Sequence, residues 1–206
     1  MRTILLVRHG EYQLDEITRL DHNLTMEQHY ELHKEEGGLT PRGKKQAKLT
    51  AKRLRSHLID AIHSSSLRRA LETAELITQA FPGITIQTSP LLWECIPTIP
   101  NAFAQHEQFK YISETDVHQW GRQADEAFNK YFKIARGTDK HEIIVSHANL
   151  IRYLVCRALH VQPDAWFNMC IDNCGISEIR IESDRCMKLV SYNDVGHLPD
   201  RLRTYV

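Results

Sequence analysis

Alternating strand and helix signals predict an α/β fold, a three-layer α/β/α sandwich on a mainly parallel sheet. Thr3 to Val7 is a short β-branched and leucine run closed by Arg8, the pattern of a strand buried on both faces. Glu142-Ile143-Ile144-Val145-Ser146 is the clearest strand, and it runs straight into the apolar helical stripe Leu150, Ile151, Leu154, Val155 and Ala158. Two late runs, Ile176 to Ile181 and Met187 to Tyr192, flank Ser183-Asp184 and predict a closing hairpin.

The elements between follow in order. Thr40-Pro41 reads as a helix N-cap with proline at the first helical position, and Ala47, Ala51, Leu54 and Leu58 follow at helical spacing. Asp60 to Ser64 is a brief strand, and Leu67, Leu71, Ala74 and Ile77 stripe the next helix, which Pro82-Gly83 ends. Ile84 to Thr88 predicts a third strand. Residues 95–118 have weak periodicity and several prolines and read as loop with short helix, whereas Ala124, Phe128, Tyr131, Phe132 and Ala135 mark a helix ending near Gly137. Residues 12–38 are highly charged, poor in apolar positions and longer than an ordinary βα loop, so they read as an insertion over one end of the sheet, a candidate lid. His29 and His33 lie four apart within it, a spacing that could hold a metal; with only Glu31 and Glu35 beside them, a solvated helix is the expectation.

At 206 residues the expectation is one domain, 1–206, carrying that insertion. The hydrophobic share of 42% and the 25% of charged residues exclude disorder and low-complexity architecture. Twenty-six basic residues balance 26 acidic ones, so the surplus of a nucleic-acid or anionic-membrane binder is missing. No apolar run approaches the roughly 20 residues of a membrane span, and the start lacks a secretory pattern. Five cysteines is an odd number in a chain large enough to need no staples, and a reduced, cytoplasmic protein is expected. Cys170 and Cys174 lack the paired C-x-x-C spacing of a structural zinc site.

Ligands of open α/β sheets bind beyond the carboxyl ends of the strands. Three strands here end in chemically unusual residues: Arg8-His9-Gly10-Glu11, Ser64-Ser65-Ser66-Leu67-Arg68-Arg69-Ala70 and Ser146-His147-Ala148-Asn149. Two histidines and at least two arginines therefore converge on one mouth, where a helix starts just after His147. Helix N-termini and guanidinium forks both favour a doubly charged phosphate, and an imidazole inside such a cradle is placed to be a nucleophile. The basic run from Arg42 to Arg55 is the solvated outer face of one helix.

These segments, with Glu72-Thr73-Ala74 and Leu91-Leu92-Trp93-Glu94, together resemble the histidine phosphatase (phosphoglycerate mutase-like) superfamily in order and spacing. Ser146 to Leu159 is most similar to the mitochondrial serine/threonine protein phosphatase branch, as are Tyr12 and Gly196-His197-Leu198-Pro199. The resemblance implies that His9 accepts the phosphoryl group, that Arg8, Arg69 and His147 hold its oxygens with Ala148 at the following helix start, and that Glu94 is the acid/base. Arg69, immediately before Ala70, takes the active role and Arg68 stays on the surface. The positive charge comes from guanidinium groups that also keep His9 neutral, so no metal or cofactor is expected. The expected substrate is a Ser/Thr phosphoprotein; the alternatives are small phosphorylated metabolites or, in a different class, a phospho-binding scaffold without turnover. A mutase is disfavoured, because the segment that retains the substrate in mutases is missing after Glu94. The membrane anchor and assembly segment of the branch are not recognised here, so its location and higher-order assembly are not carried over; a homodimer is the candidate assembly.

Overall fold

The computed structural model describes residues 1–13, 37–107, 109 and 112–205. Among them, β1 (Arg2–Arg8), β2 (Ala61–Ser64), β3 (Ile86–Thr88), β4 (Lys140–Ser146), β5 (Ile176–Ile181) and β6 (Met187–Asp194) form a six-stranded sheet in the order β3-β2-β4-β1-β5-β6. The first four strands run parallel; β5 is antiparallel to β1, and β6 to β5. The predicted mainly parallel sheet with its closing hairpin is thus the architecture observed.

Alternation along the central strands sorts side chains into two cores. Ile4, Leu6 and Ile144 meet Ala124 and Ala127 of α3 (Glu114–Tyr131) and Leu150, Ile151 and Leu154 of α4 (Ala148–Ala158). Leu5, Val7, Ile143 and Val145 meet Ala51 and Leu54 of α1 (Pro41–Leu54) and Ala70, Ala74 and Ile77 of α2 (Arg68–Thr78). That is the three-layer sandwich. Thr40 caps α1 as expected, its hydroxyl accepting from the Gly43 amide at 3.0 Å.

Several boundaries differ from the sequence reading: α3 ends at Tyr131, short of the expected end near Gly137, and β3 starts at Ile86, after the expected Ile84. The α1 stripe stops at Leu54, where a turn closed by the His57 amide on the Leu54 carbonyl leaves Leu58 87% exposed. α3 begins at Glu114, inside the stretch read as loop. Ser113 caps it through the Asp116 amide, and Glu114 and Asp116 face the helix dipole. Its fully buried residues begin only at Ala124, and before them only the partly buried Trp120 packs on the core, so the first turns carry a weak apolar stripe.

The segment read as an insertion leaves and returns at one point. Tyr12 bridges Leu39 in antiparallel fashion, and the Gln13 amide donates to the Gly38 carbonyl at 3.1 Å. Residues 14–36, and with them the lid and His29/His33 readings, lie outside the described residues. Beside this base the loop after β1 packs backbone to backbone on the start of α1. A Cβ on Gly10 would come within 2.8 Å of the Gly43 carbonyl, and one on Gly43 within 2.0 Å of the Glu11 carbonyl. Only glycine permits that approach.

Candidate active site

His9 follows the carboxyl end of β1 and His147 that of β4, adjacent parallel strands. Their ring centroids are 5.0 Å apart. Arg8, Arg69, His9 and His147 are all buried. The Arg69 Nε donates to His9 Nε2 at 3.3 Å, and His9 Nδ1 donates to the Gly10 carbonyl at 2.8 Å. Since a carbonyl can only accept, the ring proton sits on Nδ1 and Nε2 offers a lone pair. Burial, then Arg69 and Arg8, hold His9 well below the usual imidazole range, so it is neutral. His147 is depressed likewise, by burial first and by Arg69, His9 and Arg8 after it.

The surroundings fix these groups. Ser65 Oγ lies 2.8 Å from His147 Nε2 and accepts from the Leu67 amide. Arg8 Nη1 donates to the Ile171 carbonyl at 2.6 Å. Among the described residues Arg8 Nε and His147 Nδ1 are buried with no protein partner, which leaves both free to donate to an anion in the cradle. Glu94 Oε1 accepts from the amides of Cys95 and of Asn149, both at 3.2 Å, which seats the carboxyl at the start of α4. Burial nonetheless raises its pKa above the ordinary carboxylate value, against the opposing pull of Arg69 and Arg8. Ala148 opens α4 directly after His147. Arg68 stands outside the cluster, paired with Glu72 at 2.8 Å.

The structure therefore gathers His9, His147, Arg8 and Arg69, with Glu94 within their electrostatic reach. It also adds residues with no chemical role in the sequence reading. Tyr12 meets His9 edge-on at 5.1 Å, and Arg69 lies over its ring at 4.6 Å. Arg152 sits over Trp166 at 4.8 Å, donates to the Met169 carbonyl and couples electrostatically to Glu94 and Arg8. Its place four residues after Ala148 on a helix was the available signal. Among the described residues no histidine, cysteine and carboxylate cluster could hold a metal ion.

An imidazole pair among guanidinium groups at the carboxyl end of a parallel sheet makes a cradle suited to an anion such as a phosphoryl group. Comparison with known proteins agrees in kind. The family "Histidine phosphatase superfamily (branch 1)" matches residues 4–195, and the chain belongs to it. The chain is 33% identical over 96% of its length to the Caenorhabditis elegans serine/threonine-protein phosphatase Pgam5, mitochondrial, and 32% identical over 96% to human PGAM5. It spans 64% of the length of each of these relatives. Solved structures that are similar include Entamoeba histolytica phosphoserine phosphatase, with TM-score 0.69 and 20% identity over 97% of this chain and 100% of that one. Shigella flexneri alpha-ribazole phosphatase has TM-score 0.68 and 19% identity over 93% and 96%. At such identity these two speak for the fold alone.

One expectation is corrected here. The relatives matched over almost the whole chain are named mitochondrial, which overturns the cytoplasmic reading. That reading rested on the cysteines. Cys95, Cys156, Cys170, Cys174 and Cys186 are unpaired, and unpaired cysteines do not say in which compartment a protein resides.

Proposed function

We propose that this chain is a metal-independent phosphomonoesterase working through a phosphohistidine at His9, with Ser/Thr phosphoproteins as substrates. The single observation that carries the reading is the state of His9: Nδ1 tied to the Gly10 carbonyl, Nε2 unprotonated and facing the Arg69 guanidinium. The likeness to the Pgam5 phosphatases over 96% of the chain supports the substrate class.

In the first half-reaction His9 Nε2 attacks phosphorus in line, and the bond to the ester oxygen breaks on the far side. A serine or threonine alkoxide is a poor leaving group, so Glu94, whose pKa burial raises above the ordinary carboxylate value, gives it a proton. The non-bridging oxygens keep their charge throughout and meet Arg8, Arg69 and His147. When the Ser65 hydroxyl donates to His147 Nε2, the neutral ring carries its proton on Nδ1, the buried atom left to donate to a phosphoryl oxygen. In the second half-reaction water attacks phosphorus, its proton goes to the Glu94 carboxylate, and the nitrogen–phosphorus bond breaks. His9 and Glu94 return to their starting states. Fixed guanidinium charges that need not reorganise supply the stabilisation.

The test is hydrolysis of p-nitrophenyl phosphate and of phosphoserine peptides in EDTA, with rapid-quench ³²P labelling. Wild type should turn over and carry label on His9, and His9→Ala should lose both. Turnover with label elsewhere, or with no trapped intermediate, overturns the mechanism; no turnover at all returns the chain to a phospho-binding scaffold. A preference for sugar phosphates over phosphopeptides overturns the substrate class alone.

A further inference from the structure

We propose that Thr204 closes a ring of side-chain hydrogen bonds that sets the rotation of the Gly10–Glu11 peptide and, through it, the tautomer and aim of His9. Gln46, Asn173 and Thr204 are then positioning residues, a role that rests on His9 as nucleophile.

The ring can be followed atom by atom. The Glu11 amide donates to Gln46 Oε1 at 2.8 Å, and Gln46 Nε2 donates to Thr204 Oγ1 at 2.8 Å. Thr204 Oγ1 donates to Asn173 Oδ1 at 2.9 Å, and Asn173 Nδ2 donates to the His9 carbonyl at 3.1 Å. Gln46 and Asn173 are fully buried. The direction of every bond is fixed. A backbone amide can only donate, a carbonyl can only accept, and the single Thr204 proton goes to Asn173 because Gln46 presents it with an N–H. Two further bonds hold the segment in place: Gln46 Nε2 to the Leu202 carbonyl at 2.6 Å, and the Asn173 amide to the Thr204 carbonyl at 2.9 Å.

What the ring grips is the peptide that orients the nucleophile. The Gly10 carbonyl, which accepts from His9 Nδ1, and the Glu11 amide, which Gln46 holds, belong to one peptide group. That group is planar and trans, so its N–H and C=O point in opposite directions, and anchoring one aims the other. Gly10 has no Cβ to restrict rotation about its own bonds, and its close fit against Gly43 forbids one. Restraint has to come from outside the loop. The Gly10 amide is held by Thr73 Oγ1 at 3.0 Å, the Glu11 carbonyl by the Thr40 amide at 3.0 Å and the His9 carbonyl also by the Cys174 amide at 3.3 Å. The Glu11 amide, the group that shares a plane with the Gly10 carbonyl, is held by Gln46 of the ring.

Thr204→Val keeps the shape and removes both hydroxyl bonds; Thr204→Ser keeps them. Thr204 is partly exposed and belongs to none of the hydrophobic cores, so both variants are expected to fold, which their circular dichroism and thermal melts check. For Thr204→Val, kcat on p-nitrophenyl phosphate should fall about five- to tenfold, the scale of one net hydrogen bond, with KM unmoved. Thr204→Ser should recover most of that loss. Independently of turnover, ¹⁵N NMR of His9 should show one neutral tautomer protonated at Nδ1 in wild type and in the serine variant, and a mixture in the valine variant. A valine variant with wild-type kcat and an unmoved tautomer overturns the proposal, as does a loss that serine fails to restore. A wild type without turnover whose tautomer still depends on Thr204 supports the ring while sinking the phosphatase reading.

Discussion

His9 and His147 lie beyond the ends of β1 and β4 beside Arg8, Arg69 and Glu94; His63 lies on β2 beside Arg2 and Glu142. Both places gather imidazole, guanidinium and carboxylate, largely shielded from solvent. In the His63 cluster the charges answer one another. Glu142 meets Arg2 at 3.6 Å and His63 at 3.9 Å, Arg2 also donates to the Tyr131 carbonyl at 3.0 Å, and the His63 ring packs on Tyr131. At the strand ends, among the described residues, no ion pair joins Glu94 to Arg8 or Arg69, and Arg8 Nε and His147 Nδ1 are unpartnered, whereas in the His63 cluster Arg2 Nε lacks a partner but its guanidinium is paired through Nη1. Similar side chains thus make a self-neutralised packing element in one place and an open cradle in the other. Composition does not distinguish them; whether the charges are already spent does.

The sharpest way to break this contrast is to remove one histidine from each cluster. His9→Ala should abolish turnover, whereas His63→Gln should leave kcat near wild type. A folded His63→Gln protein without activity would show that the two clusters act as one.

Glu94→Gln comes next. Losing the general acid should lower kcat on a phosphoserine peptide by roughly 10²–10⁴-fold, and clearly less on p-nitrophenyl phosphate, whose leaving group needs little protonation. Equal losses on the two substrates would remove Glu94 from the proton-transfer role. The pH profile reports the same group. His9 stays neutral far below pH 6.5 and so imposes no acid limb near neutrality, while activity should decline on the alkaline side as Glu94 loses its proton from a raised pKa.

Much of this was legible in the chain because it is local. The Thr3–Val7 run and the Thr40-Pro41 cap depend on near neighbours and reappear in the structure, and motif register singled out Arg69, which lies buried beside His9 while Arg68 pairs with Glu72 at the surface. The parts that were not legible depend on distant partners. Asn173 meets the His9 carbonyl across 164 positions, and Gln46 meets Thr204 across 158, so no window of sequence displays the ring. The start of α3 was hidden for another reason: its first turn is held by a cap and by charge, and before Ala124 only the partly buried Trp120 reaches the core. Leu58 misled in the opposite direction, continuing a helical spacing after the helix had ended.

The smallest expected effect returns to the His63 cluster and concerns stability. Burial first, then Lys130 and Arg2, push the His63 imidazole down to about 4 from an unfolded value of 6.5. Between those values the unfolded chain binds a proton that the folded chain refuses. Stability from this group is therefore complete above pH 6.5 and is lost as pH falls towards 4. With the side chain 12% exposed, the loss between pH 7 and pH 5 is about 2 kcal/mol by proton linkage. His9 and His147, also depressed, steepen the same slope, while Glu94, with its raised pKa, opposes it by binding a proton in the folded state. Urea unfolding of wild type and His63→Gln across this range isolates the His63 share, because glutamine cannot titrate. The variant's curve should be flatter by that amount. Parallel curves would mean that His63 carries its charge in the folded protein, paired with Glu142, and that this cluster is not the neutral packing element drawn here.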